Sequence, residues 1–223
     1  MNKYEIVQKI ESFAPLDTQE SWDASGWAVE TTGYEVNKIL FALTVTKDVY
    51  EQALKENCDM IISHHPLFFV PLEYKIINIY CAHTNLDRAE GGTTDTLIKK
   101  LGFKKSENID FVRIVKLEFP ISTEDLKQKL LKVSPKLRYV NNTDTKEISS
   151  IGFCAGSGSE FINETGTDAF VTGDLKFHMA LDANKPVFDI GHIESEIFAP
   201  QILKEITEVG EKGVIANEKN PFI

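Results

Sequence analysis

Cysteine is scarce in this chain: three in 223 residues, with no short spacing between them. An odd, dispersed set excludes a CxxC zinc site and gives no disulfide framework. Cys58, Cys81 and Cys154 each lie in or beside an apolar, strand-like stretch, where a buried reduced thiol is expected. Long hydrophobic runs are missing as well. KILFALTV and CDMII fall well short of the roughly 20 residues that span a bilayer, so no membrane partner is expected. The opening MNKYEIVQKIESF lacks the charged-then-apolar layout of a signal peptide and reads as an amphipathic helix, which makes cytoplasmic the simplest location. Positive charge is also in deficit, with 24 Lys and Arg against 34 Asp and Glu, a formal net charge of −10. The densest basic run, LIKKLGFKK, looks like a helix end complementing its dipole. Duplex nucleic acid needs a positive footprint, so no nucleic-acid partner is expected. A phosphorylated small molecule remains compatible, because a metal ion can supply positive charge locally. Finally, no Gly-x-Ser-x-Gly elbow follows a strand, which disfavours Ser-His-Asp hydrolase chemistry.

What the chain does have is an α/β pattern. Apolar positions Ile6, Val7, Ile10 and Phe13 predict a helix over 4–13, ended by Pro15. Strands are expected at 38–45, 59–63 and 76–82, with helices at 47–56 and from Gly91-Gly92-Thr93 to Leu101. From Phe111 a similar alternation resumes. RIVKLEF is a strand, Ser122-x-x-Asp125 opens a helix to Lys132, and strands follow at 137–140 and 148–155. The loop GSGS, a short helix, the strand DAFVT, a helix over 174–183 and the strand PVFDI come next. A long helix over 194–209, bent near Pro200, closes the order. The expected fold class is a two-lobed layered α/β fold with mixed sheets flanked by helices. One lobe, 1–110, carries the HHP and HTNLD motifs; the other, 111–223, carries GSGS, GDLKFH and GHIESE, with no inserted domain.

Five histidines punctuate this pattern, each after a predicted strand or in the turn beyond it. In open α/β sheets, ligands bind at the carboxyl ends of strands, and histidines gathered there beside acids point to a metal. In extended chain, His64 and His65 would face opposite ways, so each can serve one of two neighbouring ions. One ligand beside a supporting or core histidine fits equally well. His83 and Asp87 share a face if their turn is helical, or else Asp87 caps a local turn. His192 and Glu196, at i and i+4 on the helix after VFDI, can approach one ion, a spacing that also arises by chance; Glu194 points elsewhere, toward the helix dipole. Asp174 is a plausible cap for the helix bearing His178, whose own role is packing, substrate contact or proton transfer. The GSGS amides can hold an anion or simply connect elements.

SHHPLFF, AHTNLD, Gly91-Gly92, GSGSEF, TGDLKFH and DIGHIESE, in this order, resemble the NIF-three-like dinuclear-metal proteins, also called GTP cyclohydrolase I type 2 homologues. The resemblance runs from WDASGW to the helix after His192. It implies two divalent metal ions per subunit, held by His64, His65, Asp87, His192 and Glu196, with His83 close by. Zinc, iron, manganese, cobalt and nickel all suit imidazole and carboxylate donors. It also implies self-association as a homohexamer. The reading that follows is a metal-dependent hydrolase of a small phosphorylated or nucleotide-like substrate, with His178 or His83 carrying the proton. Its rival is a metal-binding scaffold or a regulatory, metal-handling protein. Two positions depart from the family pattern: Ala24 stands where Asn is usual, and Thr44 where an acid is usual. Neither is an implied ligand, so the departures bear on the pocket.

Overall fold

The computed structural model describes residues 1–222, which divide into two compact units. Unit 1 comprises 1–92 and 198–222, and unit 2 comprises 93–197. The chain begins in unit 1 with helix α1 (Lys3–Phe13), capped by the Asn2 side chain, then strand β1 (Gly26–Val29). Strand β2 (Ile39–Ala42), helix α2 (Lys47–Lys55), β3 (Met60–Ser63), β4 (Asn78–Cys81) and the short α3 (Thr84–Arg88) follow. Unit 2 holds α4 (Thr93–Lys100), β5 (Glu107–Ile109), β6 (Val112–Ser122), α5 (Thr123–Leu131), β7 (Arg138–Val140) and β8 (Glu147–Cys154). It continues with β9 (Ala169–Thr172), α6 (Phe177–Asp182), β10 (Val187–Asp189) and α7 (His192–Glu196). The chain then returns to unit 1 as α8 (Ala199–Thr207) and β11 (Gly213–Ile215).

Unit 1 is a five-stranded sheet in the order β1-β4-β3-β2-β11, parallel except for the β1–β4 pair. Strands β2, β3 and β4 are buried at every position, as parallel strands covered on both faces must be. Leu40, Ala42, Ile61 and Ile79 join Val49, Tyr50 and Ala53 of α2 in one apolar cluster. By alternation Ile39, Phe41, Met60, Ile62 and Tyr80 face the other way, and α8 packs against β2 and β3. Thr46 caps α2 by accepting the Val49 N–H. Unit 2 is a six-stranded mixed sheet in the order β5-β6-β8-β9-β10-β7, with β8, β9 and β10 parallel at its centre. Ser122 caps α5 through the Asp125 N–H, as its spacing predicts.

Three expectations are corrected. The boundary lies at residue 92 rather than 110, because β11 pairs with β2 and α8 packs on α1, which returns the C-terminal segment to unit 1. The long helix over 194–209 is two helices, and Pro200 sits in the first turn of α8, where its missing N–H has no intrahelical partner to lose. The helix expected from Asp174 starts only at Phe177, since Asp174 has φ +50°, a left-handed conformation that breaks a right-handed helix. No helix among the described residues is long and apolar enough to cross a membrane.

Candidate metal centre

Parallel register builds the unit 1 part of the site. Ala42, Ser63 and Cys81 are paired across β2, β3 and β4, so the residues just beyond them emerge side by side at the carboxyl edge. These are Thr44, the His64-His65 pair, and Ala82-His83. His64 and His65 lie past the end of β3 in a bend, where strand alternation no longer applies, and their ring centroids are 5.2 Å apart. This differs from the opposed orientation expected of extended chain. His83 joins them, 5.2 Å from His64 and 5.7 Å from His65 by centroids, and one ring nitrogen of each lies within 4.8 Å of the others. Asp87 follows one turn later on α3, which makes the His83–Asp87 turn helical.

Each imidazole has a different partner, and the partner decides where its lone pair points. The Ala82 carbonyl lies 2.8 Å from His64 Nδ1 and can only accept, so Nδ1 carries the hydrogen. His64 Nε2 then presents a lone pair to Asp87 Oδ1 at 3.4 Å, in a side chain with 0% exposure. Only positive charge on Nε2, a proton or a metal ion, makes that encounter attractive. His83 Nδ1 donates to Asp23 Oδ1 at 2.9 Å. Asp23 also accepts from Ser25 Oγ at 2.9 Å and from the Thr84 N–H and hydroxyl at 3.0 and 2.5 Å. Burial pushes the Asp23 carboxyl up, but the hydrogen bonds from His83 and then Thr84 outweigh it and hold the group well below the usual carboxylate range. His65 Nδ1 lies 2.7 Å from the Thr44 hydroxyl.

The same device recurs in unit 2. Thr172 of β9 pairs with Asp189 of β10, so the chain beyond them places Asp174 beside His192. His192 Nδ1 is 2.6 Å from Asp174 Oδ2, and its Nε2 is 2.9 Å from Glu196 Oε2. Caught between two carboxylates, His192 has its pKa raised to about 10, chiefly by the Asp174 hydrogen bond, then by Glu196, against the opposing effect of burial. Gly156 lies directly under Glu196: a Cβ there would come within 2.2 Å of Glu196 Oε1, and its φ of +66° also favours glycine.

Of the expected site residues, unit 1 brings together His64, His65, His83 and Asp87, and unit 2 brings together His192 and Glu196. His178 stands exposed on α6 beside Phe177, so core packing does not apply to it. Its expected cap, Asp174, serves His192 instead, and Lys176 holds the N-cap position. The GSGS loop acts as a connector: Gly156 N donates to Ser195 Oγ and Gly158 N to Thr172 Oγ1. Asp23, Thr44 and Asp174 were not among the expected functional residues. Imidazole nitrogens beside carboxylate oxygens form a donor set that fits a first-row divalent ion in each unit.

A mixed α/β fold with imidazoles and carboxylates at the ends of parallel strands defines a class of potential metal-binding proteins. Within that class the chain belongs to the Duf34/NIF3 (NGG1p interacting factor 3) family, whose sequence model matches residues 1–221. It is 34% identical to a "GTP cyclohydrolase 1 type 2 homolog" of Clostridium acetobutylicum, over 86% of this chain and 84% of that one. It is 30% identical to a protein of the same name from Campylobacter jejuni, over 100% and 99%. The crystal structure of a Bacillus cereus protein related to NIF3 shares the fold, with a TM-score of 0.83, 20% identity and coverage of 100% and 99%.

Proposed function

We propose that this is a dinuclear divalent-metal protein whose ligands are His64, His65, Asp87, His192 and Glu196. We propose further that it is a metal-dependent hydrolase of a small phosphorylated or nucleotide-like substrate. The observation that carries the metal reading is the buried His64 lone pair aimed at the Asp87 carboxylate, an arrangement that a cation between them resolves. Bound divalent ions supply charge stabilisation and a water acidic enough to react near neutral pH. The chain's own contribution is orientation. Asp23 holds His83 in the Nδ1–H tautomer, leaving Nε2 to accept or carry a proton, and this reading favours His83 over the exposed His178.

The relatives' name places GTP among the substrates to test, beside phosphoesters and cyclic amides. In protein loaded with zinc, manganese or cobalt, turnover is expected for one of these and is expected to vanish in Glu196→Gln with assembly retained. Absence of hydrolysis across the whole panel in fully loaded protein would sink the enzyme reading and leave the scaffold or metal-handling role. The reading extends to a homohexamer in the cytoplasm, where three reduced thiols persist. Exposed Phe68, Phe69, Leu72 and Ile76 support self-association, since solvent-facing apolar side chains concentrated in one segment often mark contact surfaces. Sedimentation velocity reads the assembly directly.

A further inference from the structure

Thr44, the partner of His65, is itself held from the far end of the sequence. Beyond β11, Ala216 N donates to Phe41 O at 2.8 Å. Asn217 then exchanges two hydrogen bonds with the Gln52 side chain of α2, each 2.9 Å. These pins deliver Glu218, whose Oε1 accepts the Leu43 N–H at 2.5 Å and whose Oε2 accepts the Thr44 N–H at 2.8 Å. One carboxylate therefore clamps two successive amides at the end of β2, a charge-assisted, bidentate arrangement. Its cost is visible: burial pushes the Glu218 carboxyl up, and the two amide bonds only partly oppose this. The β11–β2 ladder already secures the tail as far as Ile215, so anchoring the tail does not by itself call for a half-buried charge.

At Nδ1, His83 meets a carboxylate and His64 a backbone carbonyl, whereas His65 meets a rotatable hydroxyl. A hydroxyl orients an imidazole only if the residue bearing it is fixed.

We propose that Glu218 is a positioning residue for the metal centre: by clamping the Leu43 and Thr44 amides it sets the Thr44 hydroxyl to accept from His65 Nδ1–H, which leaves the Nε2 lone pair for metal. This rests on the dinuclear reading for its function but not for its geometry, and two measurements separate them. The first is imidazole nitrogen NMR on the metal-free protein. His65 is expected to hold one tautomer in the native chain and in Thr44→Ser, and a mixture in Glu218→Ala and Thr44→Val. The second is calorimetric titration with zinc or cobalt. Both disruptive variants are expected to bind one of two ions on the order of 10–100-fold more weakly, the range typical when a ligand's hydrogen-bonding partner is lost, while Thr44→Ser retains native affinity. If Glu218→Ala fails to fold by circular dichroism, Glu218→Gln takes its place, since its amide keeps one acceptor of similar shape. Folded Glu218 variants with the native His65 tautomer and native metal affinity overturn the proposal. A native chain that binds no ion overturns the dinuclear reading instead, and the tautomer measurement then decides the clamp alone.

Discussion

His192 shows how much one residue's surroundings decide. Without metal, its folded pKa of about 10 lies above the ordinary histidine value of 6.5, so the folded state holds a proton that the unfolded state releases. The stability this contributes is full below about 6.5, declines as pH rises, and is gone above about 10. Asp174→Asn removes the largest cause of the shift. Its melting temperature is therefore expected to fall less than that of the native metal-free chain between pH 6.5 and 10. A metal ion held by His192 as proposed would displace the same proton, so binding near pH 7 is expected to release it, read by calorimetry in buffers of different ionisation enthalpy. Asp23 has the opposite sign. Its depressed pKa gives stability that is present above the ordinary carboxylate value of 3.8 and lost as pH falls through its folded value. Asp23→Asn is expected to cost roughly 2 kcal/mol in urea unfolding, the scale of hydrogen bonds to a charged group, and to free His83 to change tautomer. At this scale the sequence disclosed the His-x-x-x-Glu and His-x-x-x-Asp pairs, because their spacing is local. It did not disclose Asp23, Thr44 or Asp174 as partners. Those residues meet their histidines across 60, 21 and 18 positions, brought there by strand register.

At the scale of elements, hydrophobic periodicity located nearly every strand and helix, including the fully buried β2, β3 and β4. It missed β1, β5 and β11, strands of three or four residues that all lie at sheet edges. The end of α7 is hidden for a physical reason: the apolar pattern and right-handed backbone angles run on through Ile197 and Phe198, the two turn residues that separate α7 from α8. If Pro200 kinked a continuous helix, its replacement by Ala would relieve strain on the order of 3 kcal/mol. Placed in the first turn of α8, Pro200→Ala is instead expected to change stability by less than about 1 kcal/mol, measured by chemical denaturation.

For the whole molecule, the proposed metal binding would be linked to folding, because ligands that bind only the folded state stabilise it by mass action. Free zinc or cobalt at 100 times its dissociation constant is expected to add about 2.7 kcal/mol, and chelation to remove it, seen as a lower melting temperature. A melting temperature indifferent to chelator would count against metal binding in the native chain. The sequence by itself determined the α/β class, the reduced thiols, the absence of membrane-spanning runs and the residues with metal-ligating chemistry, since each follows from composition or spacing within a few residues. The tertiary structure decided which carboxylate, carbonyl or hydroxyl meets His64, His65, His83 and His192, and that residues 198–222 belong with the first 92. Both depend on strand pairing, parallel for Thr44, Asp174 and β11 and antiparallel for Asp23, which sets side by side residues that lie far apart in the chain.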